Sequence, residues 1–222
     1  MNNYKDEMKR WLDSDKVDAE TKAAIEAMSE TDQLASFSGY MSFGTAGLRS
    51  KMSPGIGRMN TYTVAHATNA LAKFICEAGA EACARGVAIA YDSRNNSIEF
   101  ARRSAEVLSA YNIKAYLYDS LRPTPVLSFA LRYLNCIAGI NVTASHNPAE
   151  YNGYKVYWED GAQIGPEQAN AIADIIKNTD VLNDVPTTVN EDYIIDMPAE
   201  VDEKYIECVL AEVVNAEEIN KA

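Results

Sequence analysis

Along the middle of the chain, the hydrophobic pattern repeats in the order helix, then strand. Long amphipathic stretches predict helices at about residues 61–84, 97–111, 125–134 and 166–177. Short, almost fully apolar runs predict buried strands at residues 87–91, 114–118, 137–142 and 154–158. This order predicts an α/β fold with three layers, α/β/α, in which helices cover both faces of a mixed four-stranded sheet with mainly parallel strands.

The last of the four strands should run antiparallel to the strand before it. Only about ten residues connect Val142 to Tyr154, and a parallel connection needs a crossover of a dozen residues or more. The sequence therefore predicts a hairpin-like return at this end of the sheet.

The two ends of the chain differ from this central unit. Residues 1–38 predict an N-terminal extension of short helices, because apolar side chains recur at helical spacing between many acidic ones. Residues 39–186 are the predicted α/β domain. Residues 187–222 are interpreted as the start of a second, incomplete domain, since residues 179–190 have linker composition and residues 200–215 resume a helical period.

Charge and hydropathy exclude several classes of protein. The formal net charge is −12, whereas a general nucleic-acid binder needs excess Lys and Arg to hold phosphate backbones. No apolar run has signal-peptide length, and no stretch of 18 apolar residues occurs. This pattern argues against export and membrane binding and favours a cytoplasmic protein. Residues 40–160 hold 12 Lys and Arg against 9 Asp and Glu, so this basic centre is consistent with an anionic ligand.

Polar loops follow three of the predicted strands. They are Asp92–Arg94, Asp119–Arg122 and Thr143–Pro148. Ligands of open α/β sheets gather beyond the carboxyl ends of the strands. The third loop is the richest, because it holds hydroxyl, imidazole and amide groups and is stiffened by a proline. A serine here, Ser145, can be exposed yet rigidly held, as a covalent carrier requires.

The residues alone leave a structural alternative open for this loop. Thr143 and Asn147 are residue types that satisfy backbone groups in turns. A serine-hydrolase triad fits poorly, since no GxSxG elbow occurs and His66 lies in a predicted helix.

Lys155 lies one residue into the last predicted strand. Because the loop and the strand double back, Lys155 can reach Ser145 although ten residues separate the two in sequence. A lysine in this place could steady a phosphate or, with a lowered pKa, shuttle a proton.

Four motifs resemble, in order and spacing, the successive signatures of the first domain of the α-D-phosphohexomutase superfamily. They are Phe43–Arg49 (FGTAGLR), Tyr91–Arg94 (YDSR), Thr143–Pro148 (TASHNP) and Tyr151–Lys155 (YNGYK). The TASHNP loop alone is a strong indication of this superfamily. The FGTAGLR sequence is most similar to that of the bacterial phosphoglucomutase/phosphomannomutase branch, which also resembles animal phosphoglucomutase-2 and phosphopentomutase. The resemblance covers about residues 40–178.

The resemblance implies an intramolecular phosphotransferase of the isomerase class, which interconverts hexose 1-phosphate and hexose 6-phosphate. It implies that Ser145 carries a phosphate, gives it to a hexose 1-phosphate to make a bisphosphate, and takes back the other phosphate. It also implies one Mg²⁺, bound to Ser145 through the phosphate with its other ligands outside this chain, and hexose 1,6-bisphosphate as activator.

The same resemblance implies roles for the neighbours of Ser145. Arg49 and Lys155 are expected to be catalytic and to offset the phosphate charge of roughly −1.5 to −2. His146 is expected to hold the phosphate or to orient Ser145. The other expected phosphate-binding residues are Thr143, Asn147 and Arg94. A structural salt bridge is the alternative role for Arg94.

The chain departs from the family in what it lacks. Family members have four domains, of which the second supplies a DGDxDR metal loop, the third a sugar-recognition loop and the fourth a phosphate-binding loop. None of these motifs occurs in the 222 residues. We therefore expect a phosphosugar substrate and domains II–IV of the same protein as partners, and no activity from this chain alone. The alternative is a stand-alone module that binds a phosphosugar or another subunit without catalysis.

Overall fold

A computed structural model describes residues 3–214 of the chain. Helices α1 to α9 span Tyr4–Asp13, Ala19–Glu26, Glu30–Phe37, Thr61–Glu77, Ala80–Arg85, Ser97–Ala110, Thr124–Tyr133, Pro166–Lys177 and Glu200–Ala211. Strands β1 to β6 span Leu48–Lys51, Val87–Tyr91, Ala115–Leu117, Ala138–Val142, Tyr151–Trp158 and Ile194–Asp196. Residue 215, at which the predicted last helix ends, lies outside the described residues.

The strands form one six-stranded sheet in the order β1-β5-β4-β2-β3-β6. Strands β2, β3, β4 and β6 are mutually parallel, and β5 runs antiparallel to β4, as the short connection predicts. The predicted number of four strands was wrong. Both additional strands lie at the edges of the sheet, where β1 pairs antiparallel with β5 and β6 pairs parallel with β3.

Helices cover both faces of the sheet, which confirms the three-layer α/β/α architecture. On one face, α4, α6 and α8 bury side chains such as Leu71, Phe100 and Ile172. On the other face, α7 and α9 bury Leu127 and Val201. Because both faces are covered, every residue of β2 and β4 is buried. This explains why these two strands are apolar at nearly every position.

The helix predicted over residues 61–84 is in fact two helices. Helix α4 ends at Glu77, and α5 begins at Ala80 after Gly79, whose φ of +102° lies in the left-handed region that favours glycine. The alanine-rich composition favours one long helix, but the glycine redirects the chain. The half-buried thiols of Cys76 and Cys83 face each other across this break, with their sulfur atoms 3.0 Å apart.

The terminal segments pack against the central α/β unit. The predicted helices of residues 1–38 are present as α1 to α3, and their buried side chains, among them Trp11 and Phe37, form a separate apolar cluster with Val181 and Leu182. At the other end, β6 extends the sheet and α9 packs against α7. The division into domains at residues 38 and 186 stays a prediction. Within residues 3–214, no helix has the length and apolar character needed to cross a membrane.

Candidate functional site

The sheet order brings two polar strand ends together. The Thr143–Pro148 loop, called here the β4 loop, follows β4, and Asp92–Arg94 follow the neighbouring parallel strand β2. The backbone N–H of Asp92 donates to the carbonyl oxygen of Val142 at 3.1 Å, so the two strand ends are joined directly. The predicted clustering of polar groups at the carboxyl end of the sheet therefore occurs at β2 and β4.

Ser145 is displayed at the tip of a tight turn. Its side chain is exposed, and its φ of +57° lies in the left-handed region. Its backbone N–H donates to the Thr143 hydroxyl at 3.0 Å, and the Asn147 N–H donates to the carbonyl oxygen of Ala144 at 3.1 Å. A non-glycine residue in this conformation costs about 1–3 kcal/mol and persists only where its surroundings hold it. The hydroxyl of Ser145 is thus presented to solvent from a restrained backbone.

Two glycines let the strands around this loop approach each other closely. At Gly153, an added Cβ would lie 2.5 Å from the carbonyl oxygen of Thr143 and 3.0 Å from that of Leu48. At Gly47, where φ is +71°, an added Cβ would overlap the carbonyl oxygen of Tyr154. Both glycines belong to the motifs singled out in the sequence, and they allow β1 to lie against β5 beside the β4 loop.

Arg49 reaches the β4 loop from strand β1. It pairs in register with Gly153, and its Nη1 donates to Oδ1 of Asn147 at 2.9 Å. Arg49 is exposed, so its guanidinium is accessible to a ligand above the loop. Of the predicted phosphate-binding residues, Arg49 and Asn147 are therefore brought into direct contact.

Lys155 lies on β5, opposite Asn141 of β4, which is two residues before the β4 loop begins. Burial lowers the pKa of Lys155 below the usual lysine value, and the positive charge of Arg49 lowers it further. The carboxylate of Asp92 acts on this pKa in the opposite direction. A lysine in this environment loses its proton more easily than one in water, as a proton-transferring group requires.

The side chain of Arg94 packs against the backbone of the β4 loop and is largely shielded from solvent. Its side chain is only 13% exposed, and its Nε lies 3.3 Å from Oδ2 of Asp92. The salt bridge proposed as the structural alternative is therefore present. Nη2 also donates to the carbonyl oxygens of Ser145 and Asn147, at 2.7 Å each.

The two histidines occupy different environments. His146 is exposed in the β4 loop, and its ring makes no hydrogen bond to any residue between 3 and 214. His66 is buried in α4, where its Nε2 lies 2.9 Å from the hydroxyl of Thr179 and burial lowers its pKa. His66 therefore has a structural setting, far along the chain from the serine loop.

An open, polar cleft of about 370 Å³ lies beside Ser145. The residues that line it are Asp92, Ser93, Arg94, Asn95, Ser145, Asn147 and Ala149. Within the described part of the chain, no three His, Cys, Asp or Glu side chains are grouped so that they could hold a metal ion. The Mg²⁺ expected at Ser145 through its phosphate stays a prediction.

The sequence reasoning missed Asn152, which is fully buried behind the site. Its Nδ2 donates to the carbonyl oxygen of Asn95 at 3.0 Å and to the hydroxyl of Ser97 at 2.9 Å, and its Oδ1 accepts from the Gly153 N–H at 2.7 Å. This amide joins the start of β5 to the segment after β2. Its place between two motif residues in YNGYK was the signal that could have identified it.

The sequence model for phosphoglucomutase/phosphomannomutase, alpha/beta/alpha domain I, matches residues 40–182 of the chain. Among curated proteins, a phosphoglucomutase of Staphylococcus epidermidis is 46% identical over 136 residues, which cover 61% of this chain and 24% of that protein. A phosphoglucomutase of Staphylococcus aureus is 43% identical over 150 residues, which cover 68% of this chain and 27% of the relative. The chain thus spans about a quarter of the length of the curated relatives it matches.

Solved structures share the fold. A crystal structure described as that of a candidate phosphomannomutase from Thermus thermophilus superposes with a TM-score of 0.63 at 28% identity, covering 79% of this chain and 36% of that one. A phosphoglucomutase/phosphomannomutase family protein from Burkholderia thailandensis superposes with a TM-score of 0.59 at 22% identity, covering 78% and 36%.

Proposed function

Since the chain belongs to the phosphoglucomutase/phosphomannomutase family, of which it contains the α/β/α domain I, we propose that Ser145 is a phosphoryl carrier. In this proposal, the site is the phosphoserine part of an enzyme that interconverts hexose 1-phosphate and hexose 6-phosphate. The substrate is a phosphosugar, and the reaction is an isomerisation.

The observation that carries this proposal is the presentation of Ser145. Its hydroxyl is exposed beside an open polar cleft, and its backbone is held in a left-handed turn. Phosphoryl transfer depends mainly on alignment of the reacting atoms and on stabilisation of charge. A rigid, accessible oxygen next to cationic side chains meets both requirements.

The proposed reaction has two transfers. First, the bond between the phosphorus and Oγ of Ser145 breaks while the free 6-hydroxyl of a hexose 1-phosphate forms a new bond to that phosphorus, which gives the 1,6-bisphosphate. The bisphosphate then turns around. In the second transfer, the phosphoryl group on O1 returns to Oγ of Ser145, and hexose 6-phosphate leaves.

Cationic side chains are proposed to act on the charge and the proton in these transfers. Arg49, which is exposed and contacts Asn147, binds the phosphate on Ser145. Nζ of Lys155, with its lowered pKa, takes the proton of the attacking sugar hydroxyl and passes it to the departing Oγ of Ser145, and in the second transfer it moves the proton from Oγ to O1 of the sugar. His146, exposed next to Ser145, contacts the phosphate from the open side, and Thr143 and Asn147 fix the turn.

Mg²⁺ is the proposed cofactor, with hexose 1,6-bisphosphate as activator. When bound, the ion would neutralise charge on the transferring phosphoryl group. From this chain, the phosphate on Ser145 would be its ligand. The remaining ligands and the recognition of the sugar are proposed to come from domains II–IV.

Intact-mass measurement tests the proposal. The complete polypeptide is incubated with glucose 1,6-bisphosphate and Mg²⁺, and peptide mapping locates any added phosphate. We expect one phosphate on Ser145, none in a Ser145→Ala variant, and an unchanged adduct in a Ser120→Ala control. Wild-type protein that takes up no phosphate on Ser145 would contradict the carrier role.

Measurements of mutase activity and hexose phosphate binding by the 222-residue chain alone distinguish this proposal from a stand-alone binding module. We expect it to show no mutase activity. Tight binding of hexose phosphate by the chain alone, with no phosphate taken up by the complete polypeptide, would favour the binding module.

A further inference from the structure

The guanidinium of Arg94 is surrounded by backbone carbonyl oxygens of the site. Nη2 donates to the carbonyl oxygens of Ser145 and Asn147, both at 2.7 Å. Nη1 donates to those of Pro148 at 3.0 Å and Tyr151 at 3.1 Å. One side chain thus binds the backbone from the phosphate-carrying residue to the first residue of β5.

Asp92 fixes Arg94 from the opposite side. Its Oδ2 lies 3.3 Å from Nε of Arg94, and its Oδ1 accepts from the backbone N–H of Arg94 at 3.0 Å and from the hydroxyl of Ser97 at 2.9 Å. The Ser97 hydroxyl also accepts from the buried amide of Asn152. The position of the guanidinium is therefore set by a hydrogen-bonded network anchored in α6 and β5.

This arrangement leaves Arg94 no donor for a phosphate. A guanidinium has five N–H groups. The four on the Nη atoms donate to carbonyl oxygens, and the fifth, on Nε, faces Asp92. An arginine that bound a phosphate would have to break some of these bonds, of which those to Asn147 and Tyr151 are partly buried.

The left-handed backbone of Ser145 explains what these bonds accomplish. A serine at φ +57° is strained and needs support from outside the turn. The carbonyl oxygens of Ser145 and Asn147 are both held by Nη2, so the turn is clamped on either side of His146. The clamp also places the amide of Asn147 where it accepts from Arg49.

We propose that Arg94 is a positioning residue, which holds the backbone of residues 145–151 so that the Ser145 hydroxyl stands at the phosphate-carrying position, and that it does not bind the phosphate itself. The catalytic part of this inference rests on the carrier role proposed above. The structural part, that Arg94 maintains the conformation of Ser145, stands without it.

The structural part is tested by NMR on the 222-residue chain. Arg94→Met removes all four carbonyl hydrogen bonds, and Arg94→Lys keeps a cation with up to three donors. We expect the backbone shifts and the HN–Hα coupling of Ser145 to lose their left-handed signature in Arg94→Met and to recover in part in Arg94→Lys. If Arg94→Met prevents folding, Arg94→Lys carries the comparison with wild type. An unchanged Ser145 signature in the folded variants overturns the proposal.

Arg85 provides a matched control. It also donates to backbone carbonyl oxygens, of Asn135 at 2.9 Å and Cys136 at 3.2 Å, and it pairs with Glu159 at 2.6 Å. These contacts lie at the opposite, amino-terminal end of β4. Arg85→Met should therefore lower thermal stability while the Ser145 signals keep their wild-type positions. Equal disturbance of Ser145 by both variants would show a general loss of structure and overturn the specific role.

The catalytic part is tested in the complete polypeptide with glucose 1,6-bisphosphate and Mg²⁺. Misplacing a reacting atom by about 1 Å lowers a rate about 10²-fold, so we expect a fall of this order in phosphate uptake by Arg94→Met, a smaller fall in Arg94→Lys and none in Arg85→Met. The Nε–H resonance of Arg94 should not move when inorganic phosphate is added. A phosphate-dependent shift would show that Arg94 is a ligand. If wild type takes up no phosphate, the carrier role fails, and the NMR result still decides whether Arg94 positions the turn.

Discussion

The β4 loop and the loop at Asp119–Arg122 after β3, called here the β3 loop, occupy equivalent places at the same edge of the sheet. Each contains a serine and lies near an arginine, yet they are built differently. In the β3 loop, Arg122 pairs with Asp202 of α9 at 2.6 Å and lies 5.0 Å from the centre of the Tyr118 ring. The hydroxyl of Ser120 donates to the Asp119 carboxylate at 2.7 Å and accepts from Arg122 at 2.8 Å.

The difference lies in the partners of the two arginines. Arg122 binds the side chains of Ser120 and Asp202 and so attaches α9 to the sheet edge, and its bond to the backbone carbonyl oxygen of Leu121 at 3.0 Å stays within its own loop. Arg94 binds the backbone of its neighbouring loop and leaves the Ser145 hydroxyl exposed. Polar residues at a strand end therefore show only that reactive side chains are present. The hydrogen-bond partners of the arginine determine whether the loop attaches a helix or presents a reactive group.

Replacement of the serines gives the largest contrast between the loops. Ser145→Ala and Ser145→Gly should abolish phosphate uptake, while Ser120→Ala should leave it unchanged. Because the left-handed region suits glycine, Ser145→Gly should be more stable than Ser145→Ala by about 1 kcal/mol. Intact mass and thermal unfolding measure the two effects. Equal stability of the two Ser145 variants would show that the turn relaxes on substitution.

Lys155→Met should lower the rate of phosphate uptake by about 10²-fold, since it removes the proposed proton-transferring group. It should also raise the free energy of unfolding at neutral pH, because the folded-state pKa of Lys155 is lowered and the charged form is disfavoured in the folded state. This stabilising effect should fade as the pH rises from the lowered folded-state pKa of Lys155 to 10.5, the pKa of the unfolded-state lysine. Lys177→Met, on the exposed surface of α8, is the control for pH-dependent unfolding.

Gly153→Ala should lower the free energy of unfolding by about 1–3 kcal/mol, because its Cβ would press on the carbonyl oxygens of Thr143 and Leu48. Gly39→Ala is a matched control, since a Cβ there has no atom within 4 Å. Denaturant unfolding of both variants checks the prediction. Loss of stability without slower phosphate uptake would mean that close packing of β5 is not needed by the β4 loop.

Arg122→Met should have the smallest effect, a loss of about 1 kcal/mol from a partly exposed ion pair and an aromatic contact. Phosphate uptake should stay at the wild-type rate. Chemical denaturation and the mass assay together separate this variant from Arg94→Met. A slower transfer in Arg122→Met would show that the β3 loop also supports the site.

The alternation of helix and strand predicted most of the fold, because buried strands and amphipathic helices have different periods. The direction of β5 followed from the length of its connection. Strand β1 escaped prediction because three of its four residues are polar, Arg49-Ser50-Lys51, and β6 because it lies in the segment interpreted as the start of a second domain. Both depend on pairing with an existing sheet edge, which a local pattern does not contain.

The candidate site was predictable as far as it depends on side-chain type. Ser145, Arg49 and Lys155 stood out by residue type and motif. The hydrogen-bond partners of Arg94 could not be predicted, because they are backbone carbonyl oxygens, which every residue type has. The same holds for Gly47 and Gly153, whose close contacts are with the backbone of neighbouring strands.

The pairing of β1 with β5 has a consequence for synthesis on the ribosome. Arg49 contacts Asn147, 98 residues further along the chain, and β1 has its hydrogen-bonding partners at residues 151–154. At roughly 5–20 residues per second, β1 leaves the ribosome about 5–20 s before its partner strand is made. During this interval its polar side chains, rather than a neighbouring strand, must keep it from pairing with other nascent chains.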